Sequence, residues 1–198
     1  MNKVYNFQYD HKSRWISYWH QINEILSLAP RSVLEIGIGN KTVSNYLKNQ
    51  GLKVVTLDAD EGLKPDIVAS VLKIPSQNNS FDAVLCAEVL EHLPFEDFPK
   101  ALAEIKRVTR KYVVLSLPHW GLSFYAGLKL PLLKEIEIFI KFPFWKEPKY
   151  GKGHCWEIGR RAYSLKKIKK IIKESGFKIL KDYLSSESPY HHFFILEK

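Results

Sequence analysis

Apolar residues recur along this chain with two different periods. Short apolar runs bounded by turn residues are typical of buried strands, and they fall at 32–36, 53–58, 66–69, 81–86 and 112–117. Apolar residues three and four positions apart are typical of amphipathic helices, and they fall at 15–28, 42–49, 95–107 and 164–174. Two further strands are predicted at 177–183 and 192–196, where we expect an antiparallel pair.

This alternation of strands and helices predicts one α/β domain spanning residues 1–198. The sheet should be doubly wound and mostly parallel, with about seven strands, an antiparallel C-terminal strand and helices on both faces. We expect residues 1–30 to form an N-terminal helical cap. Residues 119–153 break the pattern and predict an insertion after the fifth strand, partly helical around 132–140. Ser164 is the expected N-cap of the last helix.

Composition places the chain among globular proteins. Apolar residues make up 45% of its 198 positions, which is enough for a buried core and too many for a disordered chain. No apolar stretch is long enough to span a bilayer, and residues 1–10 lack the apolar segment of a secretory signal, so we expect a cytoplasmic protein. Cys86 and Cys155 are too few for a disulfide framework or a zinc site built from cysteine alone.

The strongest local motif is VLEIGIGN at residues 33–40, where an apolar strand runs into an acidic residue and a tight glycine turn. Gly37 and Gly39 let the backbone turn sharply and approach a ligand closely, and the following helix points its N–H groups at that ligand. Thr42 stands where a dinucleotide site needs a third glycine, and Glu35 would repel a pyrophosphate. A carboxylate at Glu35 suits an amino-acid ammonium group instead.

Asp58 ends the second predicted strand, nineteen residues after Gly39. A carboxylate in this position can accept hydrogen bonds from both hydroxyls of a ribose. The alternative is that Asp58 only caps the turn that it begins. The spacing from the glycine turn favours ribose binding.

The segments EIGIGN, LDAD and IPSQNNSFDAVLCAEVLEHL together resemble the small-molecule type of class I S-adenosylmethionine-dependent methyltransferases, the type 11 family. The resemblance covers residues 31–117 well and 163–177 more loosely. It implies a Rossmann-like fold, enzymatic methyl transfer and S-adenosyl-L-methionine as the cofactor. The cofactor-binding residues it implies are Glu35, Gly37 and Gly39 around the methionine part, Asp58 at the ribose, Ala59, Ser70, Val71 and Leu72 at the adenine, and Cys86 and Glu88 at the end of the fourth strand.

The chain departs from this family at two positions. Lys41 stands where the family often has a third glycine. Ser70 stands where the family usually has an aspartate that reads the adenine amino group, and a serine hydroxyl makes a weaker hydrogen bond there.

Methyl transfer from a sulfonium is an in-line displacement, so the enzyme mainly has to align nucleophile, methyl group and sulfur. A general base is needed only when the acceptor atom must lose a proton. His92, His119 and His154 are the candidates for that base, since each is expected near the carboxyl edge of the sheet or at the end of the insertion. Each is equally explained as a hydrogen-bonded structural histidine.

A metal site is an alternative use of the same region. Glu88, Glu91 and His92, with His154 or His119, form an oxygen and nitrogen set that suits Mg²⁺ or Mn²⁺. A similar E-x-x-E-H pattern binds metal in the small-RNA 3′-terminal 2′-O-methyltransferases. We nevertheless expect no metal, because EVLEHL is widespread in metal-free relatives and no RNA-binding module is recognisable.

The formal net charge is +9, and many of the lysines follow residue 129. They indicate either a solvated helix face or attraction to an anionic partner. Residues 120–149 interleave aromatic residues with lysines, which predicts a lid over the substrate pocket or, alternatively, a peripheral membrane contact.

The sequence therefore predicts an enzyme that methylates an oxygen or nitrogen atom of a small-molecule or glycan/lipid-linked acceptor. The alternatives are an RNA 2′-O-methyltransferase with a Glu/His metal site and a non-catalytic module that binds an adenosyl ligand. Nucleic acid is not the favoured partner.

Overall fold

The structure is a computed structural model that describes residues 8–128, 136–142 and 153–198. Its helices are α1 (Lys12–Ser27), α2 (Thr42–Asn49), α3 (Phe98–Val108) and α4 (Leu165–Glu174). Its strands are β1 (Ser32–Ile36), β2 (Lys53–Asp58), β3 (Ile67–Val68), β4 (Phe81–Ala87), β5 (Thr109–Pro118), β6 (Leu122–Leu128), β7 (Ile136–Phe142), β8 (Lys178–Leu184) and β9 (His191–Glu197). Short 3₁₀ turns cover Glu61–Leu63, Leu90–His92 and Phe95–Asp97.

Seven strands form one sheet in the order β3-β2-β1-β4-β5-β9-β8. The strands from β3 to β5 are parallel, and β9 runs antiparallel between β5 and β8. This confirms the predicted Rossmann-like α/β sheet with an antiparallel C-terminal strand. Because β1, β2 and β4 are parallel neighbours, their carboxyl ends meet at one edge of the sheet, where ligands bind in such folds.

The sheet is buried on both faces, as parallel sheets are. On one face Leu34 packs in a core with residues of α3 and α4, including Leu102 and Ile168. On the other face Val33 packs in a second core with residues of α1 and α2, including Ile25 and Leu47. Apolar side chains on both sides of β1 explain why this strand reads as a nearly continuous apolar run. In the ranges described above, no helix is both long and apolar enough to cross a bilayer.

The predicted elements of the main sheet and its helices lie within three residues of the observed ones, a difference expected at frayed ends. The prediction of helix around 132–140 is wrong over 136–140, which belong to β7; residues 132–135 lie outside the described residues. Ile136, Ile138 and Ile140 alternate with other residues at a period of two, and β-branched side chains favour extended backbone.

β6 and β7 pair as an antiparallel hairpin apart from the main sheet. Its register pairs Leu122 with Phe142 and Phe124 with Ile140, which places these apolar residues on one face. All four are exposed. The lid and the membrane contact considered for residues 120–149 both stay predictions, since much of that insertion lies outside the described residues.

The N-cap prediction for α4 is confirmed. Ser164 has extended backbone angles, and its side-chain oxygen accepts a hydrogen bond from the Lys167 N–H at 3.2 Å. This bond satisfies one of the first-turn N–H groups, which have no partner within a helix.

Replacing the cap should therefore destabilise the protein measurably. We expect Ser164→Ala to cost about 1 kcal/mol and to lower the melting temperature by roughly 2–4 °C for a chain of this size. The matched variant Ser164→Asp keeps an acceptor at the cap and should melt close to the wild type. Thermal unfolding can be followed by circular dichroism. Equal losses of stability in both variants would contradict the capping role.

The turn after β1 depends on glycine at position 37. Gly37 has φ +80°, and a Cβ added there would lie 2.2 Å from Cγ2 of Val89 in the segment after β4. The Gly37 N–H also donates to the Leu57 carbonyl of β2 at 2.9 Å. Any side chain at this position would require the Val89 side chain, or the segment that carries it, to move.

We expect Gly37→Ala to be much more destabilising than Gly51→Ala. Gly51 has a similar φ of +86° but nothing within 4 Å of an added Cβ, so it isolates the backbone cost of about 1–2 kcal/mol. Chemical denaturation should show a loss for Gly37→Ala at least twice as large. Val89→Ala should recover part of that loss in the double variant. Equal losses at the two glycines would show that the clash is unimportant.

Candidate functional site

A cavity of about 570 Å³ lies at the carboxyl ends of β1, β2 and β4. Residues of α1 and the segment before it, the turn after β1, the ends of β2 and β4 and the C-terminal region all contribute to it. Its described lining is Tyr9, Arg14, Tyr18, Gln21, Glu35, Ile36, Gly37, Ile38, Gly39, Asn40, Val43, Leu57, Asp58, Ala59, Ala69, Ser70, Val71, Ala87, Glu88, Val89, Glu91, His92, Leu93, His154 and Tyr190.

Asp58 links the two turns that form one side of the cavity. Its Oδ2 accepts the Ile38 N–H at 3.0 Å, and its Oδ1 accepts the Asp60 N–H at 2.9 Å. The turn-capping role considered for Asp58 is therefore present. Each carboxylate oxygen can accept a second hydrogen bond, and Asp58 faces the cavity, so both oxygens can also receive donors from a ligand.

Glu35 lies at the floor of the cavity near the end of β1. It is 4% exposed, and its Oε2 has no hydrogen-bond partner among the described residues. Burial raises the pKa of Glu35 to about 8, although hydrogen bonds from Ser44 and the charge of Lys48 oppose the shift. A buried carboxyl with a free oxygen is suited to receive a cationic ligand group.

Glu88, just after β4, has an unusual backbone for its residue type. Its φ of +54° is left-handed, and this conformation is held by a hydrogen bond from its N–H to the Ser116 carbonyl at 3.1 Å. The Ser116 hydroxyl also donates to Oε1 of Glu88 at 2.8 Å. Burial raises the pKa of Glu88 to about 7. Such strained residues concentrate at functional sites, and this one turns its carboxyl toward the cavity.

Most of the residues predicted to bind the adenine line the cavity, namely Ala59, Ser70 and Val71. Leu72 does not; its N–H instead donates to the Ser70 hydroxyl at 3.2 Å. Cys86 also lies outside the cavity lining, fully buried in the core, where burial raises the pKa of its thiol.

A second group of residues forms what we call the distal end of the cavity: Tyr9, Arg14, Glu91, His92, His154 and Tyr190. Glu91 is fully buried, and neither of its carboxyl oxygens has a hydrogen-bond partner in the described part of the chain. Burial and the neighbouring Glu88 carboxyl raise the pKa of Glu91 well above its usual value.

His92 and His154 lie side by side at this end, with ring centres 4.9 Å apart. The N–H of Cys155 donates to the Glu91 carbonyl at 2.7 Å, which fastens the segment around His154 to the turn that carries His92. One ligand atom from each of Glu91, His92 and His154 lies within 4.8 Å of the others. The structure thus brings two of the three predicted catalytic histidines, His92 and His154, close to the buried carboxyl of Glu91.

Glu157 orients side chains of the distal end through hydrogen bonds. Its Oε1 bonds to Nδ1 of His154 at 3.0 Å and accepts the Tyr190 hydroxyl at 3.0 Å, while Oε2 accepts Arg160 at 2.7 Å. Burial opposes ionisation, but the hydrogen bonds from His154 and Arg160 hold the pKa of Glu157 below its usual value. An ionised Glu157 fixes the ring orientation of His154.

His119 does not line the cavity. Its Nδ1 lies 3.0 Å from Nδ1 of His192, and burial, together with Lys141, lowers the pKa of His119 to about 3. The geometry therefore supports the alternative considered for this residue, a structural histidine.

Sequence reasoning missed the contribution of the N-terminal segment. Arg14, Tyr18 and Gln21 line the cavity from one face of α1, at positions three and four apart. The Arg14 guanidinium stacks 4.1 Å over the Tyr9 ring. The signal was available, because polar residues recurring at helical spacing along a buried face are unusual in a helix that serves only packing.

The comparisons with known proteins agree with this geometry. Residues 34–117 match the family described as a methyltransferase domain. An uncharacterized protein of Methanocaldococcus jannaschii is 36% identical over 126 residues, which are 59% of this chain and 49% of that protein. The chain thus spans about half the length of the curated relative it matches.

Solved structures share the fold. The 1,6-didemethyltoxoflavin-N1-methyltransferase of Burkholderia thailandensis, crystallised with 1,6-didemethyltoxoflavin and S-adenosylhomocysteine, has a TM-score of 0.61 at 13% identity, over 98% of this chain and 84% of that chain. The magnesium protoporphyrin IX methyltransferase of Synechocystis, with bound S-adenosylmethionine, has a TM-score of 0.59 at 16% identity, over 95% and 84%. Over residues 34–117 this chain is therefore similar to the methyltransferase-domain family, in agreement with the type 11 resemblance seen in the sequence.

Proposed function

We propose that this protein transfers a methyl group from S-adenosylmethionine to an oxygen or nitrogen atom of a small-molecule or glycan-type acceptor. The observation that carries the proposal is the placement of Glu35 and Asp58 on one cavity, on either side of the glycine turn. S-adenosylmethionine is an amino acid joined through a sulfonium to a nucleoside. A buried carboxyl for the ammonium and a second carboxylate for the ribose match the two ends of that molecule.

The cofactor would lie along the carboxyl edge of the sheet. Glu35 and the turn at Gly37 would hold its amino-acid part, and Asp58 would accept hydrogen bonds from its ribose hydroxyls. The adenine would pack against Ala59 and Val71, which line the same cavity. With the ends fixed in this way, the sulfonium methyl group would lie between them and face the distal end.

The distal end would then receive the acceptor. In the transfer, the acceptor oxygen or nitrogen attacks the methyl carbon, the carbon–sulfur bond breaks and S-adenosylhomocysteine leaves. When the acceptor atom carries a proton, that proton must go to a nearby base. His92 and His154 are our candidates for that base, a proposal supported by their position in the cavity lining and by their Nδ1 contacts, which leave Nε2 for the acceptor.

Methyltransferases of similar fold include enzymes named for 1,6-didemethyltoxoflavin and for magnesium protoporphyrin IX. Those names support a small-molecule acceptor here, but the acceptor must be identified by experiment. A direct test is calorimetry with S-adenosylmethionine and S-adenosylhomocysteine, with NAD as a control, followed by an acceptor screen that measures S-adenosylhomocysteine release. Cofactor binding without turnover on any acceptor would favour the non-catalytic binding module.

Asp58→Ala should weaken S-adenosylhomocysteine binding about 100-fold, because it removes two hydrogen bonds to a charged acceptor worth about 1.5 kcal/mol each. Asp60→Ala is the matched control: Asp60 is exposed, caps the same turn through the Gly62 N–H and does not line the cavity. We expect its affinity to stay within threefold of the wild type. Equal effects of the two substitutions in calorimetry would mean that Asp58 only supports the turn.

Binding should also depend on pH through Glu35. With a pKa of about 8 in the free protein, Glu35 is mostly protonated below neutral pH and must lose a proton before it can pair with the ligand ammonium. Lowering the pH from 7.5 to 6.5 should therefore weaken binding about fivefold, because the loss of ionised Glu35 exceeds the gain in charge of the ligand's amino group, whose pKa is roughly 7.7–8.

Glu35→Gln provides the control for this pH dependence. It should bind more weakly at pH 7.5 and lose most of the change between pH 7.5 and 6.5, since it has no proton to release. An unchanged pH profile in this variant, measured by the same calorimetric titration, would assign the pH dependence to another group.

A further inference from the structure

We propose that Glu91, His92 and His154 form a binding site for one divalent transition metal ion at the distal end of the cavity. From sequence alone we expect no metal, and the candidate ligands form a wider set of residues. The structure selects three of them, and the inference does not depend on methyl transfer, because metal binding can be measured on the protein alone.

Glu91 provides the first reason. Its side chain is fully buried, yet neither carboxyl oxygen has a hydrogen-bond partner among the residues that the structure describes. Arg14 lines the same cavity but makes no hydrogen bond to these oxygens. Burying a carboxyl group that has no hydrogen-bond partner is costly, and proteins usually compensate it with a hydrogen bond, an ion pair or a metal ion. Here two histidine rings are the neighbouring groups that can share a cation with it.

The hydrogen bonds of the two histidines provide the second reason. Nδ1 of His92 lies 2.9 Å from the Gly153 carbonyl, and Nδ1 of His154 lies 3.0 Å from Oε1 of Glu157. A carbonyl and an ionised carboxylate only accept hydrogen bonds, so each Nδ1 carries a proton. In the neutral rings, Nε2 then holds the lone pair. Histidines that bind metals are usually oriented in this way, with the other ring nitrogen donating to a carbonyl or a carboxylate.

The distances are compatible with one ion. Nε2 of His154 lies 3.9 Å from Oε1 of Glu91, and the three ligand atoms lie within 4.8 Å of one another. Ligands about 2.1 Å from a tetrahedral ion are about 3.4 Å apart, so an ion must draw the set together by about an ångström. His92 is exposed, which leaves room for this shift, while Glu91 and His154 are held by the Cys155 backbone bond and by Glu157.

The ligand chemistry selects the class of metal. Two imidazoles and one carboxylate suit Zn²⁺, Mn²⁺, Co²⁺ or Fe²⁺, whereas Mg²⁺ and Ca²⁺ prefer oxygen ligands only. Three protein ligands also leave a coordination position open toward the cavity. A metal ion there would bind an acceptor hydroxyl or amine and lower its pKa, which would replace a histidine base.

The test is metal binding by the whole chain, freed of any polyhistidine tag and stripped with a chelator. Calorimetry with Zn²⁺ and with Mn²⁺, and equilibrium dialysis with elemental analysis, should show one equivalent bound. Glu91→Gln and His154→Ala should each weaken binding at least tenfold. Glu96→Gln and His11→Ala are the matched controls, because they change exposed residues of the same types outside the cavity. Their metal affinity should stay within twofold of the wild type.

A Co²⁺-loaded sample gives an independent readout, because its visible spectrum reports imidazole ligation and should be lost in His154→Ala. His92→Ala, at an exposed position, keeps the test valid if a buried variant fails to fold. The proposal is overturned if no stoichiometric metal binds or if Glu91→Gln binds it as tightly as the wild type. S-adenosylhomocysteine binding in the same samples separates this failure from a failure of the proposed cofactor site.

Discussion

The turn after β1 is the constraint on which the cavity depends. Gly37 donates its N–H to Leu57, and the next N–H, from Ile38, goes to the Asp58 side chain. The same glycine lies against Val89, so there is no room for a Cβ. One short segment thus sets the spacing between the ends of β1, β2 and β4. Every group proposed to hold the cofactor extends from one of those ends or from the strand beside them.

Three carboxyl groups share the cavity that this turn creates, those of the buried Glu35 and Glu91 and of the half-buried Glu88, and removal from water raises the pKa of each. A core built for stability alone would place apolar groups there, because an unpaired buried carboxyl lowers the free energy of unfolding. The arrangement becomes favourable when cations occupy the cavity. An ammonium at Glu35 and a metal ion at Glu91 are two such cations.

The cofactor half of the site could be predicted from sequence because its signals are local. Gly37 follows its own strand directly, and Asp58 ends the next strand, so neither needs long-range information. The distal end could not be predicted in the same way, because His154 and Tyr190 reach Glu91 only through the tertiary fold. The sequence pattern predicted helix in part of the β6–β7 hairpin because residues 136–142 fit both the helical period and the strand period. Apolar residues at 136, 139 and 140 satisfy helical spacing, and only the β-branched side chains favour a strand.

The cofactor-binding residues and part of the distal end come from different parts of the chain. Residues 34–117, which match the family, hold the predicted cofactor-binding residues, whereas Arg14, His154 and Tyr190 lie outside that range. The acceptor would therefore be selected in part by segments outside the matched range, and a family match alone does not identify it. Glu91 and His92 lie inside the matched range but belong to the distal end of the cavity. A metal ion held there would couple the two halves, since it would position the acceptor atom relative to a methyl group fixed from the other side.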